Sequence, residues 1–190
     1  MYSVKATTKD AYKLLHDGSL ALSKVEANGL RIDVKYLQHT ERQLAEEIKQ
    51  LERELKKDEV WKVWRKAFGG EANLISRTQL GTILFATLKY PCSSYTATKK
   101  PQANEAALEK VKIPFAQKYL RMQKLLKAKN TYIKGILRET VDGYLHPSFS
   151  LHLVQTFRSS SQQPNFHNIP IRNPEIKKLV RRAFIPRKGG

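Results

Sequence analysis

A stretch near the end of the chain, residues 156–172, holds the side chains best suited to binding a charged ligand. Its sequence is Thr-Phe-Arg-Ser-Ser-Ser-Gln-Gln-Pro-Asn-Phe-His-Asn-Ile-Pro-Ile-Arg. These residues offer almost nothing to a core, but the guanidinium groups of Arg158 and Arg172 suit phosphate oxygens, and short hydroxyl and amide groups can probe a bound ligand. The stretch therefore predicts a surface that grips a polyanion, and nucleic acid is the leading partner.

A second candidate surface is a helix predicted over residues 113–137, whose apolar side chains fall within an arc of roughly 140°. The segment from Lys112 to Arg138 contains no Asp or Glu. A helix that is merely solvated usually mixes its charges, as residues 34–57 do, so this pattern favours a face that meets phosphates. The segment's eight basic residues are Lys112, Lys118, Arg121, Lys124, Lys127, Lys129, Lys134 and Arg138.

The overall charge agrees with this interpretation without choosing among partners. The 190 residues include 35 Lys and Arg against 17 Asp and Glu, which gives a formal net charge of +18. Such an excess fits nucleic acid, an anionic membrane or a ribosome-like scaffold. Cys92 is the single cysteine and no Cys/His cluster suits zinc, so a reducing compartment is expected. No apolar run approaches transmembrane length, which predicts a soluble cytoplasmic protein with no membrane partner.

The elements that would position these surfaces follow from caps and periodicity. The patterns predict a helix over 8–28 that ends at Gly29, a long helix after the N-cap Asp33, and a third helix from the N-cap Ser76 through Leu88. After the turn signal Asp142-Gly143, apolar and polar residues alternate over 144–154, which predicts a hairpin or small sheet. The expected fold is mainly α with a small β part, with domains over residues 1–142 and 143–190.

The stretch at 156–172 also resembles a motif of the family A DNA polymerases, the DNA polymerase I family. That family carries Thr-Gly-Arg-x-Ser-Ser followed by Pro-Asn-x-Gln-Asn-Ile-Pro-x-Arg. Agreement at this many fixed offsets is far more specific than one short motif. The matching residues are Thr156, Arg158, Ser160, Ser161, Pro164, Asn165, Asn168, Ile169, Pro170 and Arg172.

Four earlier and later segments resemble the same family in the same order, so the resemblance covers nearly the whole chain. Residues 26–33 are similar to the family's Glu-x-x-Gly-x-x-x-Asp entry into a long thumb helix. Residues 73–80 resemble its Asn-x-x-Ser-x-x-Gln-Leu segment, and residues 127–132 its Lys-x-Lys-Ser-Thr-Tyr stretch. Residues 181–186 resemble the Arg-x-Ala-Phe run that leads into the palm.

Three residues depart from the family pattern. Phe157 stands in place of Gly, Ser159 in place of an apolar residue, and His167 in place of Gln. The imidazole keeps a donor, but its charge becomes dependent on pH. The Thr-Phe-Arg variant resembles that of some phage-type members, which would place the protein in a host cytoplasm.

The resemblance implies long antiparallel thumb helices followed by the first β-strands of a polymerase palm, and primer–template DNA as partner. Arg158 and Asn168 would lie along the minor groove, where correct base pairs present similar acceptors, and His167 is a suitable donor there. The remaining implied DNA contacts are Lys124, Lys127, Lys129, Asn130, Tyr132, Thr156, Ser160, Ser161, Asn165 and Arg172. Four of these residues have a structural alternative. Arg158 could pair with a carboxylate, Asn165 and Asn168 could cap turns, and Tyr132 could belong to the core.

The catalytic part of such a polymerase is not expected in this chain. The family holds Mg²⁺ on palm carboxylates in an Asp-Tyr/Phe-Ser-x-Ile-Glu motif that follows the Ala-Phe run, and the sequence reaches Gly190 without it. We therefore expect no catalytic or metal-binding residue and no cofactor here, and an inactive chain when it is alone. A second chain with palm and fingers, separated by a split gene or split intein, would complete the enzyme. The alternative is a stand-alone, non-catalytic nucleic-acid clamp.

Overall fold

The computed structural model describes residues 7–96, 101–154, 158–163, 165, 169 and 173–187. Over this part the chain is mainly helical with a small antiparallel β part, as the sequence predicted. It divides into two compact units, residues 1–41 with 130–190 and residues 42–129. The predicted boundary between residues 142 and 143 falls inside the first unit and stays a prediction.

The helices follow the predicted caps closely. Those of the first half are α1 (Thr8–Asn28), α2 (Val34–Lys57), α3 (Glu59–Phe68) with a 3₁₀ turn (Gly69–Glu71), and α4 (Arg77–Gly81) with a π-helical continuation (Thr82–Thr87). Those of the second half are α5 (Glu105–Val111), α6 (Pro114–Lys127) with a π-helical continuation (Ala128–Ile133), α7 (Lys134–Glu139) and α8 (Pro174–Arg181). The helices α3 and α8 were not predicted.

The first unit contains a small antiparallel sheet in the order β1-β3-β2, formed by Leu30–Arg31, Tyr144–Leu145 and Thr140–Val141. Asp142 and Gly143 join β2 to β3 with φ values of +50° and +80°. Two positive φ angles match the right-handed twist of a two-residue hairpin, which explains the Asp-Gly pair. A second antiparallel pair joins β4 (Ser148–Ser150) to β5 (Ser160–Gln162), so the predicted β structure after residue 143 is confirmed.

The second unit has a core built from one stripe of α2 and the helices around it. In α2, residues 44, 48 and 55 are buried at the i, i+4 and i+11 positions of one helical face. The break between α2 and α3 occurs at Asp58, whose carboxylate accepts a hydrogen bond from the backbone N–H of Val60 at 2.9 Å. The largest fully buried side chains of this unit are Trp64, Tyr119, Phe115, Leu55, Leu80, Ile83, Leu84, Leu108, Met122 and Leu125.

Candidate nucleic-acid interface

The basic helix at residues 112–138 is more neutralised than its own sequence indicates. Within the second unit, Lys118 pairs with Glu54 at 2.8 Å, and Arg121 pairs with Glu47 at 2.9 Å. Both acids lie on α2. The predicted basic face is therefore neutralised at Lys118 and Arg121, contrary to the expectation, because the acids come from a helix distant in sequence.

The pairing extends to both ends of that helix. Lys124 forms an ion pair with Glu105 of α5 at 2.9 Å, and its hydrogen bond lowers the pKa of that carboxyl. In the first unit, Arg138 pairs with its neighbour Glu139 at 2.8 Å. Lys134 approaches Glu41 at 3.8 Å. Most of the basic residues counted in the sequence thus already have an acidic neighbour, including Lys124, which we predicted to contact DNA.

Lys127 and Lys129 differ from these paired residues. Neither forms an ion pair or a side-chain hydrogen bond within the described part of the chain, and Lys127 is exposed. Asn130, which follows, is also exposed and makes no side-chain hydrogen bond there. The predicted contact segment 127–130 therefore has polar groups available to an external ligand, as does the exposed Lys112 at the start of the basic segment. Tyr132 is half-buried, so it satisfies neither the purely core nor the purely contact alternative.

The predicted contact segment overlaps a π-helical stretch, Ala128–Ile133. Ala128 and Ile133 are both fully buried although they are five residues apart. In an α-helix, positions i and i+5 lie about 140° apart, whereas i→i+5 hydrogen bonding brings them to one side. Within this turn Lys129 is half-buried and Asn130 is exposed.

Part of the polar stretch 156–172 forms a strand of the first unit. Ser160, Ser161 and Gln162 pair with β4, and the Ser160 hydroxyl donates to the Ser150 carbonyl at 3.3 Å. Ser161 is only 1% exposed, so in this arrangement its side chain belongs to the packing of the strand pair. Thr156, His167, Asn168 and Arg172 lie outside the described residues.

Arg158 and Asn165 are exposed, as are Gln162 and Gln163 among the described residues of that stretch. No carboxylate pairs with Arg158 among the described residues, which include every Asp and Glu of the chain. This observation disfavours the alternative that Arg158 serves a structural ion pair. Its guanidinium remains available for an anionic ligand.

The segment 26–33 is hydrogen-bonded to β4 and to the residues just before it. The Glu26 carboxylate accepts a hydrogen bond from the backbone N–H of Phe149 at 2.5 Å, and the Glu26 carbonyl lies 2.7 Å from Nδ1 of His146. Gly29 adopts φ +64° and ψ 175°, a conformation that is essentially restricted to glycine. A Cβ atom at Gly29 would also lie 2.6 Å from the His146 ring. Glu and Gly are thus required at these spacings by the fold itself.

The last matching segment, 181–186, is hydrogen-bonded to residues 31–33. The Ala183 carbonyl accepts from the Asp33 N–H at 2.8 Å, and the Ile185 N–H donates to the Arg31 carbonyl at 3.1 Å. Asp33 then caps α2, because its Oδ1 accepts from the Tyr36 N–H at 2.9 Å. Two segments about 150 residues apart therefore fix the entry of the long helix together.

The Asn-x-x-Ser-x-x-Gln segment in the second unit combines an N-cap serine with a glutamine that makes three side-chain hydrogen bonds. The Ser76 hydroxyl accepts from the Gln79 N–H at 3.3 Å and begins α4. The Gln79 side chain accepts from the Trp64 indole N–H at 2.9 Å and from the Asn73 N–H at 2.8 Å, and it donates to the Glu71 carbonyl at 3.0 Å. The spacing is thus explained by one glutamine that ties α3 to the start of α4.

Sequence reasoning missed α3 and the two tryptophans that it carries. Trp61 and Trp64 stack at a tilt with ring centroids 5.3 Å apart. The signals were present, since Asp58 is a good N-cap and Gly69 a good C-terminal residue.

The described residues contain no group of three or more His, Cys, Asp or Glu side chains that could hold a metal ion. No helix among the described residues is long and apolar enough to cross a membrane.

The family model for DNA polymerase family A matches residues 34–190, so the chain belongs to that family. This confirms the resemblance found in the sequence.

Particular relatives agree with the family assignment. The thermostable DNA polymerase I of Thermus aquaticus is 39% identical over 176 residues, which cover 90% of this chain and 20% of the relative. DNA polymerase I of Geobacillus stearothermophilus is 35% identical over 169 residues, covering 87% of this chain and 18% of the relative. The chain therefore spans about a fifth of the length of the curated relatives it matches.

A solved structure is also similar. It is the POL domain of Pol1 from M. smegmatis in complex with DNA primer–template and dNTP. The TM-score is 0.71 at 28% identity, and the match covers 88% of this chain and 28% of the solved chain. The mainly helical fold with its small β part is thus a fold that occurs within a polymerase domain.

Proposed function

We propose that this chain is the primer–template DNA-binding part of a DNA-directed DNA polymerase that acts in DNA replication. The observation that carries the proposal is the family match over residues 34–190. The similar POL domain from M. smegmatis is described as a complex with primer–template and dNTP, which supports duplex DNA as the ligand class.

On this proposal, the segment 127–130 binds the phosphate backbone. Its lysines form no ion pair in the described part of the chain, although Lys127 is close enough to help lower the pKa of Glu105, whereas Lys118 and Lys124 are held by carboxylates. A phosphate oxygen can therefore be bound by Lys127 or Lys129 without breaking an existing ion pair. Phosphate contacts of this kind fix position and orientation without reading sequence, which a replicative enzyme requires.

Arg158 and Asn165 would act at a different part of the DNA, with Thr156, His167, Asn168 and Arg172 of the same stretch. Arg158 is exposed and free of carboxylates, so it can reach an acceptor in the minor groove. Purine N3 and pyrimidine O2 acceptors occupy similar positions in all correct pairs, so such contacts tolerate any sequence. Ser160 and Ser161 contribute mainly by holding the β4–β5 pair on which this stretch is carried.

We further propose that palm and fingers sequence, supplied by a complementary chain, completes the enzyme and carries the carboxylates that bind Mg²⁺. The helix α1 supports this, since it has no buried residue and Leu14 and Val25, which lie about 20° apart around the helix, are about half exposed. An apolar helix surface of this kind is usually covered by further protein. The chain alone would then bind DNA but not extend a primer, and a phage source remains a prediction.

The test is binding of a fluorescent hairpin with a recessed primer end, measured by anisotropy. Arg158→Ala is expected to weaken binding about tenfold, as expected for loss of one charge-assisted contact. Arg138→Ala is the matched control, because Arg138 is exposed but already paired with Glu139. If both variants weaken binding equally, Arg158 is not a DNA contact.

A primer-extension assay tests the proposal that a complementary chain completes the enzyme. The chain with Mg²⁺ and nucleotides should give no product, and addition of the corresponding palm-and-fingers segment should restore extension. Binding without restored extension would instead support the stand-alone clamp.

A further inference from the structure

The second unit carries a cavity that the proposed DNA contacts do not use. It has a volume of about 490 Å³ and lies among the last turns of α2, the helix α3 and the turn at residues 72–75. This volume is within the range of sites that hold small ligands or single peptide side chains. The wall includes the ring of Trp61 and the apolar side chains of Leu74 and Ile75, of which Ile75 is 54% exposed.

Hydrogen-bond donors without partners surround this apolar wall. Lys56 and Arg65 line the cavity, are exposed, and form no ion pair or side-chain hydrogen bond within the described residues. By contrast, Lys62 on the outer side of α3 is paired with Glu59 at 2.6 Å. The indole N–H of Trp61 is likewise unpaired in the described structure, yet it is not sealed from solvent. Unpaired donors of this number favour a ligand with several acceptor oxygens.

One acceptor in the cavity narrows the ligand class. Glu52 lines the same space and has no partner in the part of the chain that the structure describes. A DNA backbone offers only acceptors, so it could not donate a hydrogen bond to this carboxylate. A peptide offers both kinds of group, since its acidic side chains suit Arg65 and Lys56 while its backbone N–H groups suit Glu52.

We propose that this cavity binds an acidic peptide segment of a partner protein, with a bulky apolar side chain against Trp61 and an adjacent carboxylate on Arg65 and Lys56. The apolar contact would supply the anchor, and the two cations would supply selectivity for acidic sequences.

Intrinsic tryptophan fluorescence can report peptide binding at this cavity. Its two tryptophans are Trp61 and Trp64, and both lie on α3. The intrinsic fluorescence of the full chain can therefore be titrated with the peptide acetyl-Gly-Asp-Phe-Glu-Leu-Gly-amide. A saturable change is expected, with a dissociation constant on the order of 100 µM. The neutral counterpart, with Asn and Gln in place of the acids, should bind at least about tenfold more weakly.

Two exposed positions on α3 give matched variants. Arg65→Gln should raise the dissociation constant about tenfold, whereas Lys66→Gln, adjacent but outside the cavity, should leave it within about twofold. No saturable change below about 2 mM peptide would overturn the proposal. So would equal binding of the neutral peptide, or an equal effect of the two variants. Displacement of the peptide by a short DNA duplex, lost in Arg65→Gln, would assign the cavity to nucleic acid instead and equally overturn it.

Discussion

Replacing Gln79 by Ala should destabilise the second unit strongly, because this side chain satisfies three polar groups at once. The fully buried Trp64 would lose the partner of its indole N–H, which costs about 1–3 kcal/mol for an unsatisfied buried donor. The bonds to the Asn73 N–H and the Glu71 carbonyl, both near the surface, add about 0.5 kcal/mol each. The expected loss is about 3 kcal/mol in the free energy of unfolding, or roughly 6–12 °C in Tm.

Urea denaturation followed by far-ultraviolet circular dichroism measures this loss. Gln79→Glu separates the three bonds, since a carboxylate still accepts from Trp64 and Asn73 but cannot donate to Glu71. It should lose only about 1 kcal/mol. Gln50→Ala is the control, because Gln50 is exposed on α2 and bonds only Glu54, and it should stay within about 0.5 kcal/mol. If Gln79→Ala destabilises the chain no more than Gln50→Ala, the structural explanation of this motif is refuted.

Two further predictions concern the pH dependence of stability and the glycine before β1. Burial raises the pKa of Tyr119 from its ordinary value of 10.0 to about 12, so the folded chain holds this proton longer than the unfolded chain. That contribution is complete below pH 10 and is lost as the pH rises towards 12, so alkaline urea titrations should show about 2 kcal/mol more loss for wild type than for Tyr119→Phe; parallel curves would contradict this. Gly29→Ala should cost about 3 kcal/mol through backbone strain and contact with His146, whereas Gly70→Ala, which meets nothing within 4 Å, should be nearly neutral. Thermal unfolding compares the two glycine variants, and similar Tm values would show that Gly29 is not constrained.

Much of the fold was predictable because its helix ends are determined by residues close to them in the sequence. Asp33 and Ser76 cap the helices that they were expected to cap, and Gly29 ends α1 at the expected residue. The Asp142-Gly143 turn likewise needs only its own two residues. These features depend on side chains within a few positions of the backbone groups they satisfy, so a single sequence is enough.

The candidate site was less predictable because its electrostatics depend on distant residues. Arg121 meets Glu47 from 74 positions away, which no local count of charges can reveal. The π-helical turn at Ala128–Ile133 is equally hidden, since it is set by which residues the surrounding helices bury. Of the predicted basic residues, Lys112, Lys127 and Lys129 form no ion pair among the described residues, because tertiary pairing engages the others.

The central claim, that this chain binds duplex DNA through the segment 127–130, is tested most directly by the salt dependence of primer–template binding. The affinity should fall steeply with salt, and Lys127→Gln/Lys129→Gln should reduce the slope of log affinity against log salt by about 2. Lys49→Gln/Lys118→Gln removes two lysines that are already held in ion pairs and should leave the slope nearly unchanged. A flat salt response of the wild-type chain, or equal slopes for the two double variants, would contradict the account.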